Sequence, residues 1–385
     1  MTKIRTAFIG LGYRGTYLLS LVNKIACYQV VAVAEPNPEM LSGLQDLFAA
    51  GQSLPVVYGQ GEDDYRRMLE TEGLDLVFVC SPWHFHHSHA ITVLNAGCHL
   101  ALEVKGSLFE GEYRQLWQVA EARALNIYPL ENTVFMRSVM AVWQMVEKGV
   151  FGEIIHAQGA YRHDLRDILI NAGEFSDAIW RIKYYETENA DIYPTHGVAP
   201  VCLMLNINRG NEFKSLTSFA TKAIGLKTKI IDSFDVVPAD LDKNYLLGDS
   251  ITTIISTTSG ARMTLLHETT LPRPRSLSYE IQGTKGAWNY DLKSIYIDGV
   301  SPREQWDPDE KYIAEHEHPF WVEWGSEALK NDVHHQGMDY IMLRVLAADF
   351  AGEERYPFSI TDFETWANIS IFSGRSIAEQ KTINF

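Results

Sequence analysis

The sequence predicts an α/β protein with two domains: an N-terminal, doubly wound parallel sheet, and a C-terminal α+β domain with a large, mainly antiparallel open sheet. Three observations support this. Apolar strands alternate with helices over about the first 130 residues, a glycine-rich turn follows the first strand, and strand-like runs without intervening helices dominate the later part. We place the boundary after residue 133, giving domains 1–133 and 134–385.

The first strand and its turn indicate a nucleotide site. Strand 4–9 leads into the residues Gly10-Leu11-Gly12-Tyr13-Arg14-Gly15 and then a helix, and a second strand ends at Glu35. Glycines at this spacing allow a tight turn, approach of the backbone to a pyrophosphate and close helix–strand packing. Glu35 can accept hydrogen bonds from a ribose and repels a 2′-phosphate. We therefore predict a Rossmann domain that binds NAD rather than NADP; the alternative is a turn that serves packing alone.

The remaining elements of the first domain continue the alternation. Apolar runs predict strands, and amphipathic runs between them predict helices. The strands are expected at 28–37, 54–59, 74–82, 98–105 and 126–135, and the helices at 62–73, 86–97 and 110–124.

A histidine-rich stretch follows the fourth strand. His84, His86, His87 and His89 lie within six residues. A metal site is an alternative, but the spacing gives no clean helical face of ligands and no cysteine or carboxylate set accompanies it. Because ligands bind at the carboxyl edge of such sheets, contact with the nicotinamide end of the cofactor is the preferred interpretation, and no metal is expected.

The second domain contains a candidate acid–base loop. The stretch 152–167 reads as a strand running into a polar loop, and residues 166–192 read as a long irregular segment of a kind that binds a ligand or is disordered. The stretch Asp191–Pro200 then holds Tyr193, Thr195 and His196, with Pro194 and Gly197 expected to fix the turn. Tyr and His are common proton-transfer groups. Strands are predicted at 213–223, 248–260, 261–271, 276–292 and 294–299, and helices at 196–207, 335–352 and 361–380.

Composition excludes several classes of protein. The 385 residues are 46% hydrophobic and carry a formal net charge of −16, which disfavours disorder and binding to nucleic acid. No apolar run approaches the roughly 18 residues of a membrane helix. We expect no membrane partner. The absence of a signal-peptide pattern and four scattered cysteines favour a reducing, cytoplasmic location.

These motifs together resemble the glucose–fructose oxidoreductase/inositol dehydrogenase (Gfo/Idh/MocA) superfamily over the whole chain. The glycine turn, the Cys-Ser-Pro turn after strand four and the Glu-Val-Lys strand end carry that resemblance. Within the superfamily, the stretches 160–167, 193–213, 271–274, 282–288 and 336–343 look like glycoside hydrolase family 109, the NAD-dependent α-N-acetylgalactosaminidases. The Tyr-Pro-Thr-His-Gly block at 193–197 is the most specific of them.

The resemblance implies a mechanism without two catalytic carboxylates. Retained NAD oxidises the sugar 3-hydroxyl, a base removes the acidified C2 proton, the aglycone leaves C1, water adds, and reduction at C3 completes a net hydrolysis. His196 and Tyr193 are the predicted acid–base residues. The implied substrate contacts are Tyr161, Arg181, Pro194, Thr195 and Arg275. The implied cofactor contacts are Gly10, Gly12, Tyr13, Arg14, Gly15, Glu35, Ser81, Trp83, His84, His86, Glu103, Val104 and Asn132.

Structural roles compete with some of these assignments. Tyr161 could be a tyrosine at a strand end, Arg181 a surface ion pair, and His196 the N-cap of the following helix.

Two departures from the resemblance matter. Val104 stands where sugar dehydrogenases carry a catalytic lysine, which disfavours a plain dehydrogenase; Lys105 would point to the opposite side if the strand continued. Arg275 stands where the hydrolases have a substrate-contacting tyrosine, and it favours a different, anionic sugar substituent.

Two other functions stay open from the sequence. One is an NAD-dependent sugar or inositol dehydrogenase, and the other is a non-catalytic, NAD-binding sugar sensor. The resemblance also implies a homodimer or homotetramer that pairs through the open face of the C-terminal sheet, where the runs 250–256 and 262–268 are amphipathic; a solvated face is the alternative.

Overall fold

The computed structural model describes residues 3–105, 108–170 and 180–385. Two compact units emerge. One comprises Met1–Met136 with Pro319–Glu364, and the other comprises Arg137–His318 with Thr365–Phe385. The predicted division into 1–133 and 134–385 assigned residues 319–364 to the second domain instead, because helical periodicity does not reveal which sheet a distant helix packs against.

The first unit contains a parallel sheet. Within the described residues its six strands have the order β3-β2-β1-β4-β5-β6, which reverses beside β1 as in a doubly wound fold. This confirms the predicted architecture. The strands are β1 Ile4–Ile9, β2 Tyr28–Ala34, β3 Val56–Tyr58, β4 Leu76–Val79, β5 His99–Leu102 and β6 Ile127–Pro129.

The second unit contains a larger, mostly antiparallel sheet, as predicted. Its order over the described residues is β14-β13-β12-β11-β7-β10-β9-β8-β15, and β7 and β10 are parallel neighbours. The predicted single run at 276–292 folds instead as two strands, because Thr284 and Lys285 turn the chain. The strands are β7 Ile154–Arg162, β8 Phe213–Ala220, β9 Ile251–Thr257, β10 Arg262–Glu268, β11 Glu280–Gly283, β12 Gly286–Asn289, β13 Ser294–Ile297, β14 Asp307–Pro308 and β15 Ile383–Asn384.

Helices cover both sheets. Several of them, including the apolar helices that start at Arg137 and Pro319, are absent from the sequence-based predictions. The helices are α1 Tyr13–Val22, α2 Asp64–Thr71, α3 Trp83–Asn95, α4 Glu112–Ala122, α5 Arg137–Glu147, α6 Arg166–Leu169, α7 Ile182–Thr187, α8 Thr195–Met204, α9 Gly225–Ser233, α10 Glu310–Glu315, α11 Pro319–Asn331, α12 Met338–Phe350 and α13 Ile360–Glu379; 3₁₀ turns lie at Leu44–Leu47 and Asn132–Phe135.

The predicted irregular segment 166–192 is partly helical. Two short helices, α6 and α7, occupy its ends, whereas residues 171–179 lie outside the described part of the chain. In the described ranges no helix is both long and apolar enough to cross a membrane.

A close contact between β7 and α8 shapes the second unit. A Cβ built on Gly159 of β7 would lie 1.8 Å from the carbonyl oxygen of Gly197, and one built on Gly197 would lie 2.9 Å from the Ala160 nitrogen. Only glycine fits at such distances. Gly197 therefore lies inside α8, where it allows the close packing against β7. The prediction that it fixes a turn was wrong.

Candidate functional site

The glycine turn between β1 and α1 has the geometry of a phosphate cradle. Gly10 has φ +91°, and a Cβ there would lie 2.7 Å from the Ser81 nitrogen. A Cβ on Gly15 would lie 2.1 Å from the Gly10 carbonyl oxygen. Gly12 precedes α1, and no side chain caps this helix. The uncapped first-turn amides fit a pyrophosphate, so these residues fit the diphosphate of a dinucleotide.

Glu35 is buried beside this turn at the end of β2. Its carboxylate accepts hydrogen bonds from the backbone N–H of Leu11 at 2.8 Å and of Asn37 at 2.8 Å. A carboxylate held in this way keeps further lone pairs for ribose hydroxyls. The position fits the predicted role in NAD selection.

We expect Glu35→Gln to weaken NAD binding by about tenfold and to narrow the preference for NAD over NADP, because the variant loses charge-assisted hydrogen bonds and the repulsion of a 2′-phosphate. Calorimetric titration with each nucleotide measures both effects. Glu39→Gln, on the exposed side of the same connection, is the control. An unchanged NAD/NADP affinity ratio in Glu35→Gln would remove Glu35 from the nucleotide site.

Arg14 joins the turn to other parts of the first unit. Its Nε donates to Glu103 at 2.9 Å, and its two terminal nitrogens donate to Asp339 of α12 at 2.8 and 2.6 Å. Burial acts to raise the pKa of Asp339, but Arg14 and His335 outweigh it and hold that pKa well below its ordinary value. Arg14 thus fixes the side chain of Glu103.

The acidic end of this network has the composition of a metal site. Asp332, His335 and Asp339 are the group in the described residues whose ligand atoms all lie within 4.8 Å of one another. The Arg14 guanidinium, however, binds both oxygens of Asp339. A cation would have to displace that guanidinium, so the group functions here as an ion-pair network.

The histidine-rich stretch forms the first turns of α3, which begins at Trp83, before the predicted helix start at residue 86. His86 Nε2 donates to the Ser81 carbonyl at 2.6 Å, and His89 Nδ1 lies 2.9 Å from the Ser81 hydroxyl. His87 faces Glu112, and His84 packs on Phe85. Burial lowers the pKa of His89 to about 4, which keeps its ring neutral. These different partners hold the four imidazole rings apart from one another.

Trp83 and the segment after β5 lie together. The Trp83 indole donates to the Val104 carbonyl at 3.2 Å, and the Lys105 ammonium lies 5.3 Å from the centre of the Trp83 ring. β5 ends at Leu102, so the alternation that would turn Lys105 away does not apply. Lys105 is buried and is a candidate that the sequence did not assign.

Asn132 begins the 3₁₀ turn after β6. Its Nδ2 donates to Asp339 at 3.0 Å. Its Oδ1 is buried and has no hydrogen-bond partner within the described residues. An unsatisfied buried acceptor is the kind of group that a bound ligand completes. This supports the predicted cofactor contact.

In the second unit, the residues predicted for proton transfer form an aromatic cluster with Tyr161, a predicted substrate contact. The rings of Tyr161 and Tyr193 are 4.6 Å apart, and the rings of Tyr161 and His196 are 5.6 Å apart. The Tyr193 hydroxyl lies 3.5 Å from His196 Nε2. The structure thus brings the three residues together within one unit. Tyr161 is the last but one residue of β7, so it lies near the end of that strand, as the structural alternative also predicts.

The structure at the start of α8 shows whether His196 caps this helix, which was its alternative role. The N-cap residue is Pro194, the helix begins at Thr195, and no side chain caps it. His196 therefore lies inside the first turn, and N-capping is excluded. The Tyr279 hydroxyl donates to the His196 carbonyl and anchors this turn. The Thr195 hydroxyl is buried and has no hydrogen-bond partner in the described ranges.

Two predicted arginines lie near the cluster in different ways. The Arg181 guanidinium lies 5.9 Å from the centre of the Tyr193 ring and 5.2 Å from that of Trp180, so it stacks on aromatic faces. Arg275 is exposed in the segment before β11.

His267 is a member of the cluster that sequence reasoning missed. It is buried in β10, pairs with Tyr161 of β7, and its ring lies 6.3 Å from the Tyr161 ring. The sequence does show a histidine in a predicted strand just before a proline-rich turn. It does not show that this strand pairs with β7, because that pairing depends on the order of strands in the sheet.

Both parts of the chain match known protein families. Residues 4–104 match a family model described as the oxidoreductase family, NAD-binding Rossmann fold, and residues 135–384 match the glycosyl hydrolase 109 C-terminal domain. A levoglucosan dehydrogenase, solved with NADH and levoglucosan, superposes with a TM-score of 0.76 at 17% identity and covers 100% of this chain and 99% of its own. At that identity the likeness shows the fold alone.

Curated relatives are closer in sequence. A glycosyl hydrolase family 109 protein of Stenotrophomonas maltophilia (strain K279a) is 35% identical, covering 100% of this chain and 88% of its own. An alpha-N-acetylgalactosaminidase of Tannerella forsythia is 34% identical, with coverages of 97% and 84%.

The fold and the glycine turn thus define an NAD-dependent enzyme with the Rossmann fold. More specifically, the chain belongs to glycosyl hydrolase family 109.

Proposed function

We propose that the chain hydrolyses glycosides of the N-acetylgalactosamine type by oxidation at C3, elimination, addition of water and reduction, with NAD retained. The observation that carries the proposal is the Tyr161–Tyr193–His196 cluster. It offers an imidazole or a phenol for proton transfer, which an enolate-forming route needs, whereas ordinary glycosidases need two carboxylates. The name of the Tannerella forsythia relative supports the sugar class.

Each proposed residue has a defined task. Bound NAD supplies reversible oxidation at C3 of the sugar, and Glu35, the glycine turn and Asn132 hold it. His196 and Tyr193 move the protons at C2 and at the sugar hydroxyls. Tyr161 and His267 form the aromatic floor that orients them. Arg14 positions Glu103, and Thr195 and Arg181 bind sugar oxygens.

A net sugar dehydrogenase is the second candidate, and Lys105 is the observation that favours it. This buried ammonium lies over Trp83, near the position where dehydrogenases of the superfamily carry a lysine. The sensor hypothesis is the weakest, because both Tyr193 and His196 are present and meet.

The test is a panel of nitrophenyl glycosides given to the purified chain, while nitrophenol and NADH are followed together. The proposal predicts nitrophenol release without accumulation of NADH, and bound cofactor identified as NAD by mass. Stoichiometric NADH from free NAD would favour the dehydrogenase instead. Ligand binding without either product would favour the sensor.

We also propose a cytoplasmic homo-oligomer that pairs through the open face of the second-unit sheet. Alternate residues of β9 and β10 are only partly buried on that face, and Phe219 of β8 is 60% exposed. This face carries Ile254, Leu266 and Phe219 among threonine, serine and charged side chains, a mixture that suits a second copy of the chain. Light scattering of Phe219→Asp against the natural protein tests it.

A further inference from the structure

A positive charge lies beside the aromatic cluster, and its position follows from strand pairing. Arg162 and Ser276 form an antiparallel bridge. Ser276 N–H donates to the Arg162 carbonyl at 2.8 Å, and Arg162 N–H donates to the Ser276 carbonyl at 3.1 Å. The next residues along, His163 and Arg275, therefore stand opposite each other. Residues opposite each other in such a pairing present their side chains on one face.

That face is the one that carries the cluster. The rings of His163 and Tyr161 are 6.2 Å apart, as expected for residues two positions apart on one side of an extended chain. Arg275 therefore lies on the side of Tyr161, Tyr193 and His196. Burial and then the charge of Arg275 lower the pKa of His163 to about 4, with Arg181 a smaller contribution of the same sign, which agrees with this placement.

Arg275 differs from the other arginines of this region in having no ion-pair partner among the described residues. Arg162 and Arg273 both bind the carboxylate of Glu268, and Arg166 binds Asp164 at 2.7 Å. The Asp291 carboxylate, also near, accepts hydrogen bonds from the hydroxyls of Ser276 and Ser278. In the described part of the chain, none of these carboxylates forms an ion pair with the Arg275 guanidinium.

We propose that Arg275 binds an anionic group on the sugar, so that the preferred substrate is an acidic glycoside carrying a carboxylate or a sulfate ester. This rests on the proposed glycosidase function. A guanidinium binds either group through two parallel hydrogen bonds. With His163 neutral, the anion contact falls to Arg275.

The experiment compares neutral, carboxylated and sulfated nitrophenyl glycosides as kcat/KM ratios. The proposal predicts that the natural protein prefers one acidic class, that Arg275→Gln lowers the acidic-to-neutral ratio by about tenfold or more, and that Arg275→Lys restores part of it. The carboxylate and sulfate arms identify the anion. Arg273→Gln, which removes the same charge two residues away, should leave the ratio unchanged. An equal ratio in the natural protein and Arg275→Gln would overturn the proposal.

A binding experiment tests the anion preference independently of the proposed glycosidase function. If no glycoside of any charge is turned over, the proposed function fails, and calorimetry of the NAD-loaded chain with a free uronic acid, a sulfated hexosamine and a neutral sugar decides the anion preference alone. Tighter binding of an acidic sugar that is lost in Arg275→Gln supports it. Equal binding of all three sugars contradicts it.

Discussion

Replacing His196 with alanine is expected to lower turnover by about 100-fold or more, while NAD binding and stability should stay close to those of the natural protein. The loss is that of a general acid–base group in the transition state. His196 lies in the first turn of α8, only partly buried, and its ring meets the Tyr193 hydroxyl. Steady-state kinetics on the best nitrophenyl glycoside measures the loss.

His316→Ala provides the control for this substitution. His316 is a partly buried histidine of the same unit that bonds to the Tyr312 carbonyl at the end of α10, and its removal should leave turnover within about twofold. Turnover that falls equally in both variants, or that survives in His196→Ala, would exclude His196 from proton transfer.

Gly159→Ala is expected to destabilise the second unit by about 3 kcal/mol or more and to abolish most activity. The new methyl group would lie 1.8 Å from the Gly197 carbonyl oxygen, so β7 and α8 must separate. That separation moves Tyr161 away from His196, since the two residues lie on these two elements. Urea denaturation measures the stability, and nitrophenol release measures the activity.

Gly374→Ala in α13 is the matched change. Its Cβ would lie 3.3 Å from the Ala190 side chain, a tight contact that the gain of about 1 kcal/mol in helix propensity offsets. A stability loss in Gly159→Ala no larger than in Gly374→Ala would mean that the contact between β7 and α8 does not hold the cluster.

The fold was largely predictable because its signals are local. Continuous apolar strands, the glycine turn and Glu35 each depend on a few neighbouring residues, and they define the parallel sheet and its cofactor. The position of helices α11 and α12 in the first unit was not predictable. It depends on pairings distant in sequence, such as Arg14 with Asp339.

The candidate site was likewise predictable where its signals are local, and not where they depend on contacts distant in sequence. Tyr193 and His196 are three residues apart, so a motif reveals them, whereas their contact with Tyr161 and His267 depends on the order of β7 and β10. Gly197 was read as a turn residue because glycine usually breaks helices. Its true role appears only when β7 packs against α8. Lys105 was set aside because β5 was expected to be longer than it is.

The central proposal, elimination after oxidation at C3, is tested most directly by hydrolysis in deuterium oxide. The proton removed from C2 is replaced from solvent when water adds to the intermediate. Elimination after oxidation at C3 therefore places one deuterium at C2 of the released sugar, with no NADH accumulating, as read by mass spectrometry and proton NMR. A product that keeps protium at C2 after full turnover would contradict it.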